Sequence, residues 1–474
     1  MIFTSIEFVL FFVAVLLIRS VIRRGPTDKW FLLFASYFFY MSWNVACGGL
    51  ILFTSLTDFY VGRQLGRTDN SRHRRWWLVA SLVANLGVLA FFKYANFFYG
   101  NTSVLLHLVG LDLTRTQFDI ILPAGISFFT FQSMSYTIDV YRRKIEPTKS
   151  LRDFLLFVAF FPQLLAGPIV RAADLLPQFA ARIRVTAADV ETGLAYFALG
   201  AVKKVVISDQ ISAHVDLIFA SPGHFDAFTL LQGVLGYAIQ IYCDFSGYSD
   251  MAIGCARIMG FRFWENFQMP YSSLSVTEFW RRWHISLSTW LRDYLYIPLG
   301  GNRLGAGRTY VNLMVTMLLG GLWHGASWTF VLWGGLHGVA LAVNRFWREH
   351  HVLDPVLKYR AFRLLWRLIS YFLTMAVVLL GWILFRTASL ATATDYIRRL
   401  VFWSTDGDRL VSPYILAAIA GVTLVHLVFP KDYNWADDIP RHSAPVRALA
   451  YGSLLVLLVC LGATDSAPFI YFQF

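Results

Sequence analysis

Two histidines in this sequence have surroundings in which an imidazole can do chemistry. His284 lies in TEFWRRWHISLSTWLRDYLY (277–296) and His324 in LLGGLWHGASWTF (318–330), both inside the stretch from Ser275 to Gly338. His324 stands among Leu318, Leu319, Leu322, Trp323 and Trp328, in a segment with almost no charge. A titratable side chain there is costly and is therefore a functional candidate. Low polarity favours the neutral imidazole, the form that accepts a proton as a general base. The alternative of equal weight is a histidine hydrogen-bonded between helices. His337 follows 13 residues later, about 220° further round an ideal helix. It cannot share the face of His324 on such a helix and reads as a packing residue.

The elements that must position these residues are apolar. Of 474 residues, 57% are hydrophobic and 15% are charged, and the mean hydropathy is +0.54. A soluble domain carries about 25% charged residues. Apolar runs recur near the length that crosses a bilayer, so the chain reads as an all-α polytopic membrane protein with about 11–13 membrane segments. Spans are expected near 2–18, 30–46, 48–62, 76–97, 118–140, 189–209, 226–243, 326–344, 364–385, 411–429 and 446–463. A charge-poor segment, 98–117, separates the fourth from the fifth. Basic loops after Arg19, from Arg63 to Arg75 and from Arg142 to Arg152 fall on one side of the membrane in this reading, which the net charge of +12 supports.

The middle of the chain is irregular. FFPQLLAGPIVR (160–171) interrupts an apolar run, and a broken backbone in lipid must be enclosed by protein or line a wet cavity. CDFSGYSDMAIG (243–254) places Asp244 and Asp250 at membrane depth. They either pair with Arg257 or Arg262 or belong to a site. The four cysteines lie far apart without metal-ligand spacing, and neither a disulfide framework nor a metal site is expected. There is no G-x-S-x-G, Walker A, G-x-G-x-x-G or HExxH motif. Aromatic and basic residues interleave as at a membrane interface, so nucleic acid is not an expected partner.

The His284 segment reads as one amphipathic helix. Ser275 and Glu278 fit a capping box. A helix from there to about Tyr296 places Trp280, Trp283, Leu287, Trp290, Leu291 and Tyr294 on one face, and Glu278, Arg282, Thr289 and Asp293 on the other. Such a helix suits the membrane interface. His284 falls at the edge of the aromatic face and looks inward. PLGGNR (298–303) ends the run.

Several stretches carry a resemblance. FKYANF (92–97), LPAGISFFTFQSMSYTIDVYR (122–142), FFPQLLAGPIVR, YCDFSGYSDMAIG (242–254), GFRFWENFQMPY (260–271), the two histidine segments and the terminal FIYFQF (469–474) are similar, in order, to the bacterial branch of the membrane-bound O-acyltransferase family. Within that branch they resemble the alginate O-acetylation membrane proteins. The resemblance implies a single domain over 1–474, with a core at 90–350, later spans at 364–463 and an aromatic tail at 464–474. It implies a ring of helices around a thinned, funnel-shaped core with reentrant and interfacial pieces.

The resemblance also implies a reaction. An acetyl group leaves a cytoplasmic thioester, acetyl-CoA, and is delivered across the bacterial inner membrane for O-acetylation of an exported polysaccharide such as alginate. His324 takes the place of the family's essential histidine and His284 that of its second histidine. Tyr471 is the matching candidate for an acyl relay; an interfacial anchor is the other reading of it. Arg281, Arg282, Arg292, Lys203 and Lys204 are candidates to hold the coenzyme phosphates, with solvated or headgroup-facing roles equally open. Periplasmic O-acetyltransferase proteins of an export system and membrane lipids are the partners implied. A transporter or flippase also suits many spans with buried polar residues, but no inverted repeat is visible between the halves.

Overall fold

The structure is a computed structural model and describes all residues except 23–24, 112–117, 166, 182–183, 351–357, 464–466 and 471–474. Its regular elements are helices, and the β contact among the described residues is an isolated bridge between Phe225 and Asp408. The chain forms two compact units, 1–197 with 251–264, and 198–250 with 265–474.

The first unit holds α1 (Ile6–Val21), α2 (Pro26–Met41), α3 (Val45–Arg67), α4 (Ser71–Leu89), α5 (Ala95–Leu108), α6 (Ile126–Tyr141), α7 (Leu151–Ala159), α8 (Phe161–Leu164), α9 (Ala172–Ala180) and most of α10 (Ala187–Ala201). Side chains of Ser5, Asn44, Asn70 and Ser150 accept from the first turns of α1, α3, α4 and α7, satisfying N–H groups that the helix itself leaves without partners. A π-helical turn, Ala90–Tyr94, joins α4 to α5, so the helical rod runs from Ser71 to Leu108. The span expected at 76–97 lies within this rod, and the helix continues about three turns beyond Phe97. Residues 98–108 contain no proline, and the chain turns only at Gly110, which takes φ +79°.

A carboxylate fastens three of these helices. Asp58 of α3 is fully buried and accepts from Ser81 Oγ (2.5 Å) and Asn85 Nδ2 (2.8 Å) of α4, and from Ser133 Oγ (2.5 Å) and Thr137 Oγ1 (3.1 Å) of α6. Replacing it with alanine strands four donors in a fully buried place. At roughly 1 kcal/mol for each, Asp58→Ala is expected to cost about 4 kcal/mol, read as a lower melting temperature of the purified protein. Asp58→Asn is expected to cost less.

The break expected at 160–171 is present and enclosed. α7 ends at Ala159, Phe160 leaves helical geometry, and α8 adds a single turn. Phe160, Phe161 and Gln163 are buried. Side chains satisfy the interrupted backbone: Ser36 Oγ accepts from the Phe161 N–H (3.2 Å), and Gln132 and Gln163 both donate to the Phe157 carbonyl (2.8 and 2.6 Å). Gly125, at φ +74°, lets the start of α6 approach; a Cβ there would stand 2.5 Å from the Leu164 carbonyl oxygen.

The second unit continues α10 through a π-helical turn, Val202–Ser208, into α11 (Asp209–Ala220). It then holds most of α12 (Ala227–Ile258), α13 (Val276–Arg282), α14 (Ile285–Leu291) with a third π-helical turn (Arg292–Tyr296), α15 (Ala306–His324), α16 (Trp328–Glu349), α17 (Arg360–Arg386), α18 (Leu390–Val401), α19 (Pro413–Val428), α20 (Trp435–Asp438) and α21 (Ala444–Leu461). The span expected to end at 243 is α12, which runs on to Ile258 because nothing in 244–258 breaks it.

Among the described residues, four helical stretches are long and apolar enough to cross a bilayer: Val45–Arg67, Ser71–Leu108, Arg360–Arg386 and Ala444–Leu461. α1, α2 and α19 are apolar but have 16 residues each, about 24 Å of helix. Apolar side chains face outward as lipid requires: α1 exposes Ile6, Leu10 and Leu17, and α21 buries none of its residues.

Candidate active site

His284 sits in a break, not in a helix. Ser275 Oγ caps α13 by accepting from the Glu278 N–H (3.1 Å), while the Glu278 carboxylate reaches back to the Leu274 N–H (2.9 Å). The single helix expected from Ser275 to about Tyr296 stops at Arg282. Trp283 is extended, and His284 takes φ +44°, ψ +55° before α14 begins. That left-handed conformation costs a residue with a Cβ about 1–2 kcal/mol. The aromatic residues still point inward, because each short helix keeps its own apolar face: Trp280, Trp283, Leu287, Trp290, Leu291 and Tyr294 are all buried.

Asn266 holds the break together. Its main-chain carbonyl accepts from the Ile285 N–H (2.9 Å). Its Oδ1 accepts from the Ser286 N–H (3.1 Å) and Ser286 Oγ (2.9 Å), and its Nδ2 donates to Ser249 Oγ (3.2 Å). A backbone N–H can only donate, so the carboxamide orientation is fixed. The same Oδ1 lies 3.3 Å from His284 Nδ1. That nitrogen therefore carries the hydrogen, and the lone pair of the neutral ring is on Nε2.

His324 is the last residue of α15 and is 4% exposed. Its ring is walled by Trp323 (4.9 Å between centroids), Trp333 (4.9 Å) and Phe385 (5.1 Å). The His284 ring meets Phe245 edge-on at 4.6 Å and Trp323 at 6.1 Å. The two predicted histidines are thus brought together, with the Trp323 indole touching both.

Backbone-close packing sets the position of His324. A Cβ on Gly334 of α16 would stand 2.3 Å from the Met317 carbonyl oxygen of α15, and one on Gly321 would stand 2.2 Å from the Phe330 carbonyl oxygen. Small residues let membrane helices approach in this way. Gly334→Leu is expected to force α15 and α16 apart, to cost about 1–3 kcal/mol, and to lower transfer activity. Thermal unfolding and a rate measurement on the same preparation check it.

His337 is not on the helix of His324. Gly325 is extended and Ser327 caps α16, so the angular argument made on one continuous helix does not apply. Both histidine rings touch Trp333, His337 at 4.8 Å. Its packing role rests instead on Trp280, whose Nε1 donates to His337 Nδ1 at 3.4 Å.

The cationic candidates separate clearly. Lys204 is 1% exposed and lies 2.7 Å from both Asp209 and Asp244, so it is not at a surface where a phosphate could dock. Lys203 pairs with Asp250 at 2.6 Å. Arg282 is bonded to Glu278 (3.2 Å) and Asp432 (3.1 Å), and Arg292 to Asp293 (2.7 Å). Arg281 is exposed. The pairing of Asp244 and Asp250 with Arg257 and Arg262 is corrected: Arg257 and Arg262 both turn to Asp189 (3.0 and 3.9 Å). Tyr471 lies outside the described residues. Asn266 and Trp323 were not singled out from the sequence. The signal for Asn266 is weak: it is one of two carboxamides, with Gln268, in the aromatic stretch Phe261–Tyr271.

With this geometry in place, the comparisons are decisive at the level of family. The membrane-bound O-acyltransferase family pattern matches residues 141–380. The chain belongs to that family, and it is a multi-pass membrane O-acyltransferase. It is 39% identical to the probable alginate O-acetylase AlgI of Pseudomonas putida over 510 aligned residues, the whole of both chains. The protein of the same name from Pseudomonas aeruginosa is 44% identical over 404 residues, 83% of this chain and 73% of the relative. The peptidoglycan O-acetyltransferase of Helicobacter pylori is 34% identical over 423 residues, 82% of this chain and 77% of the relative.

Proposed function

We propose that the chain moves an acetyl group from cytoplasmic acetyl-CoA across the bacterial inner membrane for O-acetylation of an exported polysaccharide, alginate or a related polymer. The observation that carries this reading is the pair of enclosed imidazoles that both lie against Trp323, on a chain whose relatives bear O-acetylase and O-acetyltransferase names.

In this mechanism His324 takes the proton of an acceptor hydroxyl. The hydroxyl oxygen attacks the thioester carbonyl carbon, and the tetrahedral intermediate expels the thiolate, which leaves as CoA–SH with the proton held by His324. The partial negative charge at the C-terminal end of α15 favours the imidazolium while it lasts. His284 is held by Asn266 with its lone pair on Nε2, so the neutral ring accepts a hydrogen bond and orients a hydroxyl. Stabilising an oxyanion would require the protonated ring.

Arg281 and Arg292 are the exposed candidates for the coenzyme phosphates. A ring of about 11–13 membrane segments around a thinned core, in which reentrant pieces complete spans too short by themselves, belongs to the same proposal. Tyr471 would carry the acetyl group as a phenyl ester before a periplasmic partner transfers it to the polymer. Tyr471→Phe is then expected to abolish polymer acetylation; unchanged acetylation removes the relay. The acetyl content of exported polysaccharide in a deletion strain, with and without the restored chain, tests the whole reading. Loss and recovery are expected, and an unchanged content would overturn it.

A further inference from the structure

A cluster of buried charge that the mechanism does not use lies at the centre of the second unit. Lys204 Nζ is 2.7 Å from Asp209 Oδ1 and 2.7 Å from Asp244 Oδ1, and all three side chains are 0–1% exposed. One ammonium between two carboxylates leaves the cluster short of donors. The remaining partners come from the end of the chain. Lys204 Nζ donates to the Ala467 carbonyl (2.8 Å), and Asp244 Oδ2 accepts from the Ile470 N–H (2.8 Å).

Both contacts are to main chain. The side-chain contribution comes from Phe469, fully buried, with its ring 4.4 Å from Tyr248 and 5.7 Å from Phe245. Ile470 is 4% exposed. The segment is thus held at three successive points: a carbonyl, an aromatic ring and an amide. The dock also adjoins the candidate site, since the Phe245 ring that meets Phe469 stands edge-on to His284 at 4.6 Å.

We propose that Lys204, Asp209 and Asp244 form a dock for residues 467–470, and that the docked segment is a positioning element for acyl transfer, acting on His284 through Phe245. A charged dock suits this place. A buried ammonium or carboxylate that loses a partner is strongly penalised in an apolar surround, so release of the tail is opposed by two orphaned polar groups as well as by exposure of Phe469. The relation to transfer rests on the function proposed above, whereas the docking itself does not.

The dock can be read without activity. Cys47, Cys243 and Cys255 are buried and Cys460 is exposed, so Cys460→Ser removes the accessible thiol. Ile470→Cys in that background then reports the tail through its rate of labelling by a maleimide. Slow labelling is expected in the parent. Labelling at least about tenfold faster is expected in Lys204→Met and Asp244→Ala, whereas Asp244→Asn keeps an acceptor for the Ile470 N–H and should stay protected. Should the charge variants fail to fold, Phe469→Ala leaves the cluster intact and is expected to release the tail as well.

The variants with a released tail are expected to lose polymer acetylation by at least about tenfold, with Asp244→Asn retaining it. Equal labelling rates in the parent and in the folded variants would overturn the dock. Fast labelling with unchanged acetylation would overturn its positioning role. A parent that shows no acetyl transfer at all would count against the proposed function, and the labelling would still decide the docking.

Discussion

His324→Ala is expected to lower acetyl transfer by roughly 10²–10⁴-fold, the range that a positioned general base contributes. The protein should still reach the membrane in normal amount, because the walls of the pocket are supported from elsewhere. Trp333 also packs on Trp280 at 5.6 Å, and Phe385 on Phe330 and Trp382 at 4.9 and 5.6 Å. The loss should fall on kcat, with little change in the KM for the thioester, since the base acts on the acceptor proton in the transition state. A variant that binds donor normally and turns over at the wild-type rate would remove His324 from the mechanism.

Asn266→Leu is the second large effect. Leucine has the branched heavy-atom skeleton of asparagine and keeps the main-chain carbonyl that accepts from the Ile285 N–H, so the break at His284 can persist. What it removes is Oδ1, the acceptor for the Ser286 N–H, for Ser286 Oγ and for His284 Nδ1. The imidazole then loses the contact that fixes its tautomer and its rotation. Displacement of a reacting group by about 1 Å costs about 10²-fold, and a loss of roughly 10–100-fold in kcat is expected here. Asn266→Asp retains the Oδ1 acceptor and should recover much of it. Equal rates for the leucine variant and the parent would show that the carboxamide is not needed for transfer.

How much of this was legible in the sequence varies by element and for physical reasons. His324 could be found because an imidazole with no charged neighbour stands out in an apolar run. The break expected in 160–171 was legible from Pro162, Gly167 and Pro168. The break at His284 was not. Neither proline nor glycine marks residues 283–284, and α13 and α14 keep their apolar residues inward with nearly the spacing of one continuous helix. The left-handed turn is imposed by a partner 18 residues earlier, Asn266, and a tertiary bond of that kind leaves no local pattern.

The partners of Asp244 were missed for a related reason. Arg257 follows it on the same helix and Arg262 comes just beyond the helix end, but a carboxylate halfway along α12 is met by whatever packs there. At Gly247 the helix approaches the backbone near Lys204: a Cβ would stand 2.6 Å from the Gly200 carbonyl oxygen and 3.2 Å from the Lys204 nitrogen. The lysine thus arrives from 40 residues upstream. The dock for the tail could not be read either, because its polar contacts are to main-chain atoms of Ala467 and Ile470, which carry no sequence signature. The family, by contrast, was legible from long ordered stretches and agrees with the pattern matched over 141–380.

Whether the two histidines that lie against Trp323 perform thioester-dependent acyl transfer is decided by the release of CoA. Purified wild-type protein and His324→Ala, at equal concentration and with equal melting temperature, are incubated with acetyl-CoA labelled in the acetyl group, with a hydroxyl-bearing polysaccharide acceptor and with the periplasmic fraction that holds the partner, and free CoA is followed with time. Steady release of CoA by the wild type is expected, with label passing to an oxygen ester, and release lower by at least about 10² in the variant. CoA released at the same rate by both proteins, or by neither, would contradict it.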